Sequence, residues 1–94
     1  MLLWGKASVK KSIHSPENEQ VVRLIKQMRE ECGLTQMQLA ETLGITQSFV
    51  SKIERGERVV DVIQLREICL CLGTTLTKFV IKLERQLQKP PPSS

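Results

Sequence analysis

Within residues 34–56, LTQMQLAETLGITQSFVSKIERG, a helical projection places Ser48, Lys52 and Arg55 on one side and Val50 and Ile53 on the other, taking about 100° per residue. Ser51 lies on the flank. Gln47 occupies the first turn, the end of a helix that reaches deepest into a groove. These side-chain types suit the edges of base pairs: glutamine presents its amide to adenine N6 and N7, lysine reaches guanine O6 and N7, and serine donates or accepts. No acid lies on this face. An ordinary solvated helix face is the plainer alternative, and the angles leave both open.

The elements that must position these residues follow from local signals. Ser15-Pro16-Glu17 reads as a helix start, with a capping hydroxyl, proline at the first helical position and acids in the first turn. Val21, Ile25, Met28 and Cys32 then recur at helical spacing, with Leu24 beside them, and Gly33 closes the helix. Thr35 caps a second helix, whose inward positions are Leu39, Ala40 and Leu43. Gly44 stops it, supplying a positive φ for the tight turn. Thr46 caps the third helix, which buries Val50 and Ile53 and ends at Gly56. Asp61 caps a fourth, with Leu65, Ile68, Cys69 and Leu72 inward, up to Gly73. Thr75 caps a fifth, with Leu76, Phe79, Val80, Leu83 and Leu87 in line. No strand pattern and no repeat is present, so the expectation is an all-α domain over 16–88, between an arm at 1–15 and a Pro/Ser tail at 89–94.

The totals narrow the function classes. Ninety-four residues suit one domain. A net charge of +4 permits an anionic partner, but Lys6, Lys10 and Lys11 stand in the first 15 residues with no acid, and the rest of the chain is nearly balanced. The arm is either a groove-tracking extension or a solvated tail. His14, the one histidine, reads as a solvated side chain rather than a pH switch. Trp4, with Leu2 and Leu3, is expected to tuck onto the domain, a second subunit or another protein. Cys32, Cys69 and Cys71 are odd in number and fall within helical patterns, which argues against disulfides; they read as small core or rim residues. No signal peptide or membrane span is expected, so the reading is a cytosolic protein. One histidine, no tyrosine, no nucleotide loop and no metal cluster leave nothing from which to build an active site, so neither an enzyme nor a cofactor is expected.

LTQMQLAETLGITQSFVSKIERGER resembles the helix-turn-helix of the phage repressor and Cro family, the XRE-type regulators. The resemblance is strong over 34–58 and looser from 19 to 80. Its elements arrive in order: Leu34-Thr35-Gln36 opens helix 2, Leu39-Ala40 precedes Leu43-Gly44, Gln47-Ser48 opens helix 3, and Ile53-Glu54-Arg55-Gly56 closes the unit. It implies a five-helix repressor-like DNA-binding domain, here with an extended last helix. It also implies that Gln47, Ser48 and Lys52 reach base edges, while Gln36 bonds a phosphate and braces Gln47. Ser51, Arg55 and Arg58 fall where the family contacts the DNA backbone. Arg29 matches the position that pairs with Glu54, a carboxylate near the buried side of helix 3 that would be costly alone. Phe49 departs from the family, which has a smaller residue here; it either presses on a thymine methyl or covers the core edge.

Family domains end near Leu76–Phe79, yet the apolar pattern here continues through Val80, Leu83 and Leu87. Such a stripe must be covered, by a second copy across a two-fold axis or by helix 1. A homodimer on double-stranded DNA would set two recognition helices about 34 Å apart on a pseudo-palindromic operator. A sequence-specific transcriptional regulator is therefore the leading reading. An antitoxin, whose main partner is a small toxin protein, is the alternative, and a restriction–modification controller is a variant of the first.

Overall fold

The computed structural model describes residues 15–88. Expectations for the arm (its three lysines, Trp4 and His14) and for the tail at 89–94 lie outside these residues. Among the described residues the chain forms five helices and no strand: α1 (Pro16–Glu31), α2 (Gln36–Leu43), α3 (Gln47–Glu54), α4 (Val62–Cys71) and α5 (Leu76–Gln88).

Each helix begins on a side chain that accepts one of its orphan N–H groups. Ser15 accepts from Asn18 N, Thr46 from Phe49 N, and Thr75 from Lys78 N. Thr35 with Gln38, and Asp61 with Gln64, form reciprocal capping boxes. The first four helices end on glycines at positive φ. Gly44, at φ 74°, matters most, because it turns the chain between α2 and α3. A Cβ built there meets nothing within 4 Å, so the demand is conformational and not steric. Ile45 N then donates to Ala40 O at 3.0 Å, closing α2 within two residues of the next cap.

The core consists of Val22, Leu24 and Ile25 of α1, Leu39 and Ala40 of α2, Val50 and Ile53 of α3, Ile68, Cys69 and Leu72 at the end of α4, and Phe79 of α5. Helix α2 packs on α3 and α4, α1 packs on α3 and α5, and α4 packs on α5. Ala40 is 2% exposed where α2 meets α3, so a larger side chain would force the pair apart.

Two expectations need correction. In α1 the buried line runs through Val22, Ile25 and Arg29, with Leu24 beside it; Val21 and Met28 are half-buried and Cys32 is exposed. The stripe is centred on a charged residue, which a count of apolar positions cannot see. In α5 only Phe79 is buried. Leu83 is half-buried and packs on the core of its own chain, whereas Val80 and Leu87 stay exposed. Leu83 is thus covered within its own chain, while Val80 and Leu87 are left uncovered.

Candidate nucleic-acid interface

Helix α3 is eight residues long and buries one edge, with Val50 2% and Ile53 3% exposed. That edge fixes the roll of the helix. Gln47, Ser48 and Lys52 then face solvent, Arg55 is exposed at the C-cap, and Ser51 is half-buried. The three residues expected to reach base edges are thus brought together on one bare surface.

A chain of hydrogen bonds runs from the interior to the tip of this helix. Arg29 Nε donates to Glu54 Oε2 at 2.7 Å and Arg29 Nη2 to Glu54 Oε1 at 3.0 Å, a two-pronged pair. The two side chains are only 9% and 2% exposed. Arg29 Nη1 also donates to Leu34 O at 2.6 Å, so one guanidinium ties α1 to α3 and to the loop before α2. The hydrogen bond to Glu54 raises the Arg29 pKa, outweighing burial, and keeps the guanidinium charged. Gln36 Nε2 donates to the same Glu54 Oε1 at 3.0 Å, and Gln47 Nε2 donates to Gln36 Oε1 at 3.4 Å. Gln47 is therefore braced by α2, and α2 by a buried ion pair. No buried side-chain nitrogen or oxygen lacks a partner among the described residues.

Arg55 is placed differently from a free backbone contact. Its Nε and Nη2 bond the two carboxylate oxygens of Glu57, each at 3.1 Å, and its Nη1 bonds Ser51 Oγ. The Glu57 hydrogen bond raises its pKa. Arg55 and Ser51 are thus engaged with each other, and the charge of Arg55 is balanced locally. Sequence reading missed this pair because it closes across the turn at Gly56, where no helical spacing applies.

Phe49 is half-buried and lines a small cavity with Leu43, Ile45, Ile53, Gln64, Glu67 and Ile68. Its outer face is covered by Arg58, whose guanidinium carbon lies 4.4 Å from the ring centroid. Sequence reading also missed the exposed apolar residues of α4, Val62, Ile63 and Leu70, together with Ile81 of α5. They lie off the inward faces that periodicity picks out. No group of three or more potential metal ligands occurs among the described residues, and none of their helices is long and apolar enough to cross a membrane.

Residues 25–79 match the family model described as Helix-turn-helix. An HTH-type transcriptional regulator of Sinorhizobium fredii, y4dJ, is 38% identical over 53 residues, covering 56% of this chain and 69% of that protein. Among solved structures, an XRE-family like protein from Pseudomonas syringae is 38% identical, with a TM-score of 0.74 over 85% of this chain and 98% of the other. The restriction–modification controller protein C.Esp1396I, solved as a tetramer in complex with its natural 35-base-pair operator, is 29% identical. Its TM-score is 0.74 over 81% of this chain and 100% of that one.

Proposed function

This chain belongs to the helix-turn-helix family of XRE-type DNA-binding transcriptional regulators, and we propose that it reads an operator through the exposed face of α3 as a homodimer. One observation carries the reading. Gln47 is held at the front of α3 by Gln36, Glu54 and Arg29, with Ser48 and Lys52 bare beside it. A recognition surface gains most when its donors are fixed before binding, because less freedom is lost on association.

In this reading Gln47, Ser48 and Lys52 contact base edges in the major groove. Gln36 and Arg58 contact phosphates on either side of it. Ser51 and Arg55 serve the backbone more weakly, since each already bonds the other and Arg55 is neutralised by Glu57. Phosphate contacts set the register and base contacts read the sequence. The dimer forms through Val80 and Leu87, which the fold leaves exposed, with Leu83 shared between the interface and the core. A two-fold pair would present two copies of α3 one helical turn apart, about 34 Å, to a pseudo-palindromic site.

The test is base-pair-resolved binding of Lys52→Ala. Against duplexes varied one position at a time, it should lose about 1–3 kcal/mol of discrimination at one position per half-site and keep it elsewhere. Discrimination unchanged at every position would remove Lys52 from the reading surface.

A further inference from the structure

The exposed face of α3 has two flanks, and they are built differently. On one, Gln36 of α2 stands against Gln47 through the 3.4 Å amide contact. On the other, Phe49 lies about 60° from Lys52 and about 40° from the buried Ile53 around the helix axis. The ring therefore straddles the boundary between the bare face and the core. Its inner side meets Leu43, Ile45 and Ile68 across the cavity toward α4. Its outer side is roofed by the exposed Arg58, 4.4 Å from the centroid, contributed by the loop between α3 and α4. The neighbouring carboxylate, Glu57, has both of its oxygens bonded to Arg55.

This arrangement has a chemical consequence. A guanidinium lying over an aromatic ring is held by its face, while its five N–H groups lie in its own plane and remain free to donate. A helix inserted in a major groove has a sugar–phosphate backbone on each side, so donors are needed on both flanks. Gln36 supplies one. We propose that Phe49 is a positioning residue: its ring holds Arg58 on the α4-facing flank of α3, so that the guanidinium is preset to bond a phosphate on that side of the groove. The inference rests on the DNA-reading role of α3. It accounts for a bulky aromatic at a position where the resemblance to the repressor and Cro family implies a smaller residue. With Arg58 across it, the ring's outer face is also not bare for a thymine methyl.

The experiment measures duplex affinity against salt concentration for the full chain and for Phe49→Leu, Phe49→Tyr, Arg58→Ala and the Phe49→Leu/Arg58→Ala pair. Arg58→Ala should lower the salt slope by about one. Phe49→Leu should weaken binding about two- to five-fold, the size expected of a solvent-exposed cation–π contact, and equally on all sequences. Phe49→Tyr, which keeps the ring, should bind as the parent does. The double substitution should be no weaker than Arg58→Ala alone. Additive losses in the pair, a Phe49→Tyr defect equal to that of Phe49→Leu, or a Phe49→Leu defect confined to one T·A pair would each overturn the proposal. An unchanged salt slope in Arg58→Ala, with Lys52→Ala still losing discrimination, overturns this inference and leaves the reading of α3 intact. Loss of neither contribution overturns both. A measurement on the unsubstituted protein guards against a misfolded variant: side-chain Nε relaxation should show Arg58 more ordered than the exposed Arg66 and Arg85. Equal mobility for all three contradicts the proposal.

Discussion

In α2 and α3 the residues Leu39, Ala40, Val50 and Ile53 are buried, and Gln36, Gln47 and Glu54 are joined in one hydrogen-bonded chain anchored on Arg29. In α4 and α5 the apolar residues Ile63, Leu70, Val80, Ile81 and Leu87 are between 39% and 61% exposed. Both regions draw on the same core, yet one presents fixed polar groups and the other presents bare hydrocarbon. Preset donors suit hydrogen-bonded recognition. Apolar area left in water gains by being covered with protein. In the proposed function these two surfaces carry separate tasks, reading at α2–α3 and assembly at α4–α5.

Substitutions can break this contrast, beginning with the strongest. Arg29→Met leaves Glu54 as a buried charge with only an amide beside it and should cost about 3–5 kcal/mol in urea denaturation. By contrast, Arg55→Ala breaks an ion pair whose side chains are half exposed, and its midpoint should hardly move. A midpoint for Arg29→Met as high as the parent's would deny the ion pair its anchoring role.

The assembly end is tested by the paired change Val80→Lys and Leu87→Lys. Each side chain has about 40% of its area left to bury, which corresponds to about 1 kcal/mol apiece. Sedimentation should show dimer dissociation rising about tenfold or more, with the unfolding midpoint unchanged at protein concentrations low enough that the parent is monomeric. An unaltered dimer would place the interface elsewhere, with Ile63 and Leu70 the next surface to alter.

Gln36→Ala sharpens the reading end. It removes the bond to Glu54 and the acceptor for Gln47, and should weaken operator binding by about 0.5–1.5 kcal/mol while leaving the dimer intact. The smallest effect concerns the thiols. Burial pushes the Cys69 thiol up, and burial together with Glu67 does the same for Cys71, so both stay protonated at mildly alkaline pH. Alkylation of the native protein at pH 8 should therefore modify the exposed Cys32 first. Cys69 modified at the same rate would contradict its burial.

Much of this was legible in the sequence because it is local. The caps at Ser15, Thr35, Thr46, Asp61 and Thr75 and the turn at Gly44 depend on residues within four positions of one another. The roll of α3 follows from Val50 and Ile53 alone. The phase of α1 was misread because its buried line passes through Arg29, which is inward only when Glu54, 25 residues away, receives it. The Arg55–Glu57 pair and the Arg58–Phe49 stack depend on how the chain leaves α3 after Gly56, a path that no helical period encodes. The division of Leu83 from Val80 and Leu87 depends on how α5 crosses α1, which is set by the assembled core.

The central claim is that DNA meets α3 and not the apolar surface of α4 and α5. It is tested most directly by titrating the isotope-labelled protein with a duplex selected from a random pool and following every backbone amide. Shifts should concentrate at Gln36, at residues 47–52 and near Arg58, leaving Ile63–Leu70 and Val80–Leu87 in place. Shifts gathered on α4 and α5, with Gln47, Ser48 and Lys52 unmoved, would contradict the account.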